Sequence, residues 1–76
     1  MGEDGKRPLD ALEKARGDRI IANLKTGEKI AGKLVAFDLH LNLWLEDAEK
    51  IGEQGNKTRL GTIVVRGDNV IFASPE

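Results

Sequence analysis

A chain of seventy-six residues is one small domain, and one this short hides only about 60% of its unfolded surface, so its own core gives marginal stability. The absence of cysteine removes disulfides and thiolate metal sites, and a single histidine cannot found a zinc centre without several carboxylates. Twelve basic and thirteen acidic residues leave a net charge of −1, which argues against coating duplex nucleic acid through bulk charge. A local, contact-based reading of single-stranded bases stays open. Association with further chains is the leading source of the missing stability. No apolar run approaches the roughly 20 residues of a membrane span, and the polar start lacks a signal-peptide core. A cytoplasmic protein without cofactor or metal is expected.

Met1 to Arg7 is polar and charge-balanced and reads as a flexible tail, with one domain over 8–76. Pro8 to Arg16 reads as a short helix. Proline suits the first helical position, Asp10 and Glu13 precede Lys14 and Arg16, and Gly17 supplies a stop. Leu9, Leu12 and Ala15 share a side, and a helix of that length persists only when docked.

From Arg19 the apolar period becomes two. A first strand is predicted over 19–25 and a second over 28–37, with Thr26-Gly27 as the tight connection. Gly32 inside the second strand predicts a sharp bend, as a sheet closing into a barrel requires. Leucines 39, 41, 43 and 45 then form a strict alternating stripe. Asp38 to His40 nonetheless reads as a connection, because Asp38 is suited to bond the backbone two residues on. The third strand is predicted over 41–47 and a polar hairpin over 48–57. The fourth strand covers 58–66 with a bend at Gly61, Gly67-Asp68 turns the chain, and Asn69 to Ala73 forms the fifth. A helix followed by five bent antiparallel strands describes a small SH3-like or OB-like barrel, and periodicity does not separate the two.

His40 and Asn42, polar among leucines, are left unexplained by packing. At this point two long motifs carry a resemblance. Leu24 to Ala48 (LKTGEKIAGKLVAFDLHLNLWLEDA) and Gly61 to Pro75 (GTIVVRGDNVIFASP) are similar to the two motifs of the Sm and Sm-like (LSm) family, and RPLDAL at 7–12 resembles the start of its archaeal members. The resemblance implies a mainly β fold, a short helix on a five-stranded, strongly bent antiparallel SH3-like barrel. It implies a homo-oligomeric ring, usually a heptamer, closed by pairing strand four with strand five of the next subunit. It also implies binding of uridine-rich single-stranded RNA at the inner pore rim, in RNA processing or as an RNA chaperone. His40, Asn42, Arg66 and Asp68 fall on the family's uracil-binding positions, and Asp38 and Gly67 on the turns that present them. Trp44, Val65 and Ala73 depart from the aliphatic residues expected there, and none belongs to that set.

Those residue types suit the task. His40 and Arg66 offer planar groups on which a base can stack. The Asn42 carbonyl can accept from uracil N3–H while its amide donates to O4. A flipped amide suits cytosine, so its orientation must be fixed, and Asp68, a pure acceptor when ionised, is expected to take the second amide proton. Trp44 reads as packing, in the barrel or between subunits, ahead of a second base platform, and Lys25, Lys29 and Lys33 as a solvated face from which Lys25 could assist a phosphate. A small barrel that binds proteins without RNA specificity is the rival reading. An enzyme is not expected, because no nucleophile or second acid accompanies His40 and Asp38.

Overall fold

The computed structural model describes residues 8–76, so the expected tail at 1–7 lies outside the described residues. Helix α1 (Pro8–Ala15) leads into β1 (Arg19–Leu24), β2 (Lys29–Phe37), β3 (Leu43–Ile51), β4 (Lys57–Val65) and β5 (Val70–Pro75). The five strands form one antiparallel sheet in the order β4-β3-β2-β1-β5. β5 therefore returns to pair with β1, while the outer edges of β4 and β5 find no partner among the described residues.

The amphipathic α1 lays Leu12 and Ala15 against the core without burying either fully. Its exit is tight: Gly17, at φ 94°, donates its N–H to Leu34 O at 2.7 Å, and Leu34 donates back to Asp18 O at 2.9 Å. Helix and β2 are thus joined through backbone, which supplies the docking that eight residues need. The β1–β2 hairpin closes as predicted at Thr26-Gly27, with Gly27 at φ 92°. The core gathers Ile20, Ala22, Ile30, Leu34, Leu43, Leu45, Ala48 and Val65 from β1 to β4.

The sheet bends where its register slips. β2 and β3 shift between Ala31 and Lys33, leaving Gly32 opposite Ile20 of β1 but without a register partner on β3, and a Cβ there would lie 3.1 Å from Leu45 Cβ and 3.2 Å from Ala48 Cα. Opposite, Asp47 at φ 51° and Gly61 at φ 75° take left-handed conformations where β3 and β4 slip.

Most strand ends fall within a residue or two of the sequence reading (β5 is Val70–Pro75 rather than 69–73), and β3 differs at both of its ends. The leucine stripe is not one strand: Leu43 and Leu45 are buried, but Leu39 is 82% exposed and Leu41 sits in the loop at φ 63°. β3 therefore begins at Leu43 and runs to Ile51, because Ala48 to Ile51, read as polar hairpin, pair with β4. Charged Glu49 and Lys50 obscure that pairing in the sequence, and the turn shrinks to 52–56. Crowding at the bend predicts that Gly32→Val, by overpacking against Leu45 and Ala48, destabilises the protein by about 1–3 kcal/mol. Urea unfolding would register this as a lower midpoint, and an unchanged midpoint would mean that the sheet gives way freely there.

Candidate nucleic-acid interface

Two loops at one end of the sheet meet. The first, residues 38–42, joins β2 to β3; the second, residues 66–69, joins β4 to β5 and contains a single 3-10 turn at Gly67–Asn69. The first loop is built around one carboxylate. Asp38 Oδ1 accepts from the backbone N–H of His40 at 2.8 Å and of Asn42 at 3.0 Å, and Oδ2 accepts from Asn42 Nδ2 at 2.9 Å. This is the Asp-centred turn the sequence suggested, extended to a side chain. The Leu41 N–H closes the loop on Asp38 O at 3.0 Å, and Leu41 accepts a left-handed backbone to do so. Such strain in a non-glycine residue costs on the order of 1–3 kcal/mol and persists where its surroundings over-determine it.

The second loop is placed by backbone bonds. The Lys25 N–H donates to Asn69 O at 2.8 Å, tying the loop to the start of the β1–β2 turn, and Asn69 donates to Arg66 O at 3.0 Å. The loops then join through one bond, from the Gly67 N–H to Asn42 Oδ1 at 2.8 Å. Any Cβ at Gly67 would collide with the carbonyl oxygen of His40 and sit 2.8 Å from Leu41 C, so only glycine allows this approach.

His40, Asn42, Arg66, Gly67 and Asp68 line an open cavity of about 410 Å³. The structure thus brings together all four residues singled out in the sequence and both supporting turns. It reassigns one role. Asp68 does not hold the Asn42 amide; it pairs with Arg66 at 3.2 Å, and Asp38 takes the amide proton instead. The reason is local geometry: Asp38 already caps the loop that contains Asn42, while Asp68 lies in the 3-10 turn beside Arg66. The Arg66 and Asp68 side chains are 75% and 63% exposed, so their pair contributes about 0–1 kcal/mol and leaves the guanidinium free to turn. The Gly67 N–H was missed as a working donor, since a main-chain group leaves no mark in a sequence beyond the glycine that exposes it. Among the described residues no cluster suited to a metal ion is present, and no helix is long and apolar enough to cross a membrane.

A bent five-stranded sheet capped by a short helix, with two loops converging on a fixed amide, defines the Sm class of fold. The LSM domain model matches residues 10–75, and the chain belongs to the Sm-like family. It is 41% identical over 69 residues to the snRNP Sm-like protein of Methanosarcina barkeri, covering 91% of this chain and 96% of that one. Among solved structures it is similar to the heptamer of SmAP1 from P. aerophilum, at a TM-score of 0.86 and 43% identity, covering 91% and 92% of the two chains. It is also similar to the Sm protein of Pyrococcus abyssii in complex with a uridine heptamer, at a TM-score of 0.87 and 42% identity, covering 93% and 100%.

Three donated hydrogen bonds, the one from the Asn42 side chain foremost, hold the Asp38 carboxyl below the usual carboxylate range. With its folded value depressed, the contribution of ionised Asp38 is complete above the unfolded value of about 3.9 and is lost as pH falls through the folded one. The NMR signals of the Asn42 side-chain amide should therefore hold steady from neutral pH to about 4 and shift only below it. Amide signals that stay in place through acidification until the protein unfolds would show that Asp38 does not hold Asn42.

Proposed function

We propose that this protein is an RNA-binding ring subunit that takes uridine-rich single-stranded RNA at the pore rim, in RNA processing or as an RNA chaperone. One observation carries the reading: the Asn42 amide is held at both ends. Its nitrogen faces a carboxylate, a pure acceptor, and its oxygen faces an N–H, a pure donor. Each end keeps one valence free, an N–H and a carbonyl lone pair side by side. That pair complements O4 and N3–H of uracil. Cytosine presents the reverse pattern, and meeting it requires the flipped amide, which sets oxygen against carboxylate and N–H against N–H. The flipped amide is disfavoured because it leaves both of its fixed partners facing their own kind. His40 and Arg66 supply planar groups on which the base stacks, at about 1–3 kcal/mol per base and with little regard to its identity.

The ring rests on the sheet's edges. β4 and β5 carry Val64, Ile71 and Phe72 at 66%, 62% and 56% exposed, beside edge backbone that pairs with nothing among the described residues. Unpaired apolar edges invite pairing with another copy, and head-to-tail pairing of β4 with the next β5 closes them all. The heptamer of the P. aerophilum relative supports seven copies, and the uridine heptamer in the P. abyssii complex supports the ligand. Repeating the slot around a pore makes later contacts intramolecular along one strand, so a near-neutral subunit holds RNA without bulk positive charge.

Native mass spectrometry should give a heptamer that takes up oligouridine, with the oligouridine recovered at unchanged mass, as befits a binder rather than an enzyme. A monomer indifferent to oligouridine would leave the protein-binding barrel as the better reading. The amide grip separates two acidic residues. Asp38→Ala should cut the preference for uridine over cytidine oligomers at least about fivefold, whereas Asp68→Ala should weaken both alike. Equal preferences in Asp38→Ala and the parent protein would place the discrimination elsewhere.

A further inference from the structure

Next to the Asn42 slot lies a second concavity that the slot's chemistry does not use. Ala36, Phe37, Asp38, Asn42, Trp44 and Val64 line a cavity of about 240 Å³. Asn42 belongs to both cavities. Trp44 is 45% exposed between buried Leu43 and Leu45, so its ring turns outward from the core. Its cross-strand partners are Ala36 on β2 and Val64 on β4, small side chains that leave the indole face open. The indole N–H has no partner among the described residues.

We infer that Trp44 is a second base-stacking subsite, which receives the nucleotide adjoining the one in the Asn42 slot on the same RNA strand. The inference rests on the reading of that slot as a base site. Spacing supports it: Trp44 follows Asn42 by two residues, within a reach of roughly 6–7 Å, and Asn42 lines both cavities. So does chemistry. The cavity is apolar, its one charged group is a carboxylate already engaged in three hydrogen bonds, and it holds no cation. A base face fits there and a phosphate does not. Position argues against a second copy of the chain as occupant. β3 is already paired on both sides, and the whole of β4 lies between Trp44 and the free edge that pairs with another copy in the proposed ring. Stacking on an indole tolerates any base, so this subsite adds affinity and leaves selectivity to Asn42.

The chain has one tryptophan and no tyrosine, so indole emission reports Trp44 alone. The assembled protein is titrated with uridine monophosphate and with oligouridine, while fluorescence anisotropy of labelled oligouridine measures binding independently. The monophosphate should quench the emission only weakly and at far higher concentration, since a lone base gains nothing from occupancy of the neighbouring slot, whereas oligouridine should quench it strongly as it binds. Trp44→Val should weaken oligouridine binding by about fivefold or more at an unchanged assembly mass, and Trp44→Phe should restore part of it. Oligouridine that binds by anisotropy without quenching, with equal affinity in Trp44→Val, overturns the subsite and spares the Asn42 slot. Disassembly of Trp44→Val would also overturn it, by giving the indole to a neighbouring copy. Failure of oligouridine to bind at all removes the slot and the subsite together.

Discussion

An amide gripped at both ends sets the geometry of the loops. Asn42 reaches Asp38 with its nitrogen and the Gly67 backbone with its oxygen, and through that one side chain two loops distant in sequence become a single wall. Everything around it serves the grip. Leu41 takes a left-handed backbone so that the first loop can close on Asp38. Position 67 carries no side chain because the His40 carbonyl occupies the space. The second loop is held from behind by Lys25 and Asn69. An asparagine left free would present donor and acceptor in either order; held this way, it presents one order.

The sheet explains why the grip forms where it does. Slips in register at Gly32 and around Asp47 and Gly61 fold the long strands over a small apolar centre. That curvature brings the ends of β2, β3, β4 and β5 to one place, so both loops emerge side by side. It also leaves β4 and β5 as unpaired edges on opposite margins, each lined with exposed apolar side chains. Among the described residues the packed core is a single cluster of eight buried side chains, and a chain this short has little more to bury. In the proposed ring, edge pairing supplies stability that the core does not, and the same closure multiplies the slot. Stability and ligand affinity then share one cause.

Much of this was legible in the residues themselves. Alternating apolar positions, Thr26-Gly27, Gly32 and the proline-to-glycine frame of the helix led to a helix and five bent strands in order. Two motifs in correct succession named the family and the residues His40, Asn42, Arg66 and Asp68. The leucine stripe misled, since alternation through Leu39 and Leu41 says nothing of whether a backbone is paired. The charged stretch after Ala48 misled in the other direction, hiding paired strand beneath solvated side chains.

Tertiary structure alone decided which acid holds the amide. Asp38 and Asp68 are equally able acceptors on paper, and the choice depends on how two loops approach one another, which no local pattern encodes. The same holds for the Gly67 N–H, a main-chain donor with no side chain to announce it, and for the outward face of Trp44, whose cross-strand neighbours come from β2 and β4. Local periodicity and turn chemistry determined the elements and the cast of side chains, because those are properties of short segments. Convergence determined their roles, because a hydrogen bond between residues twenty-five apart exists only once the sheet has bent.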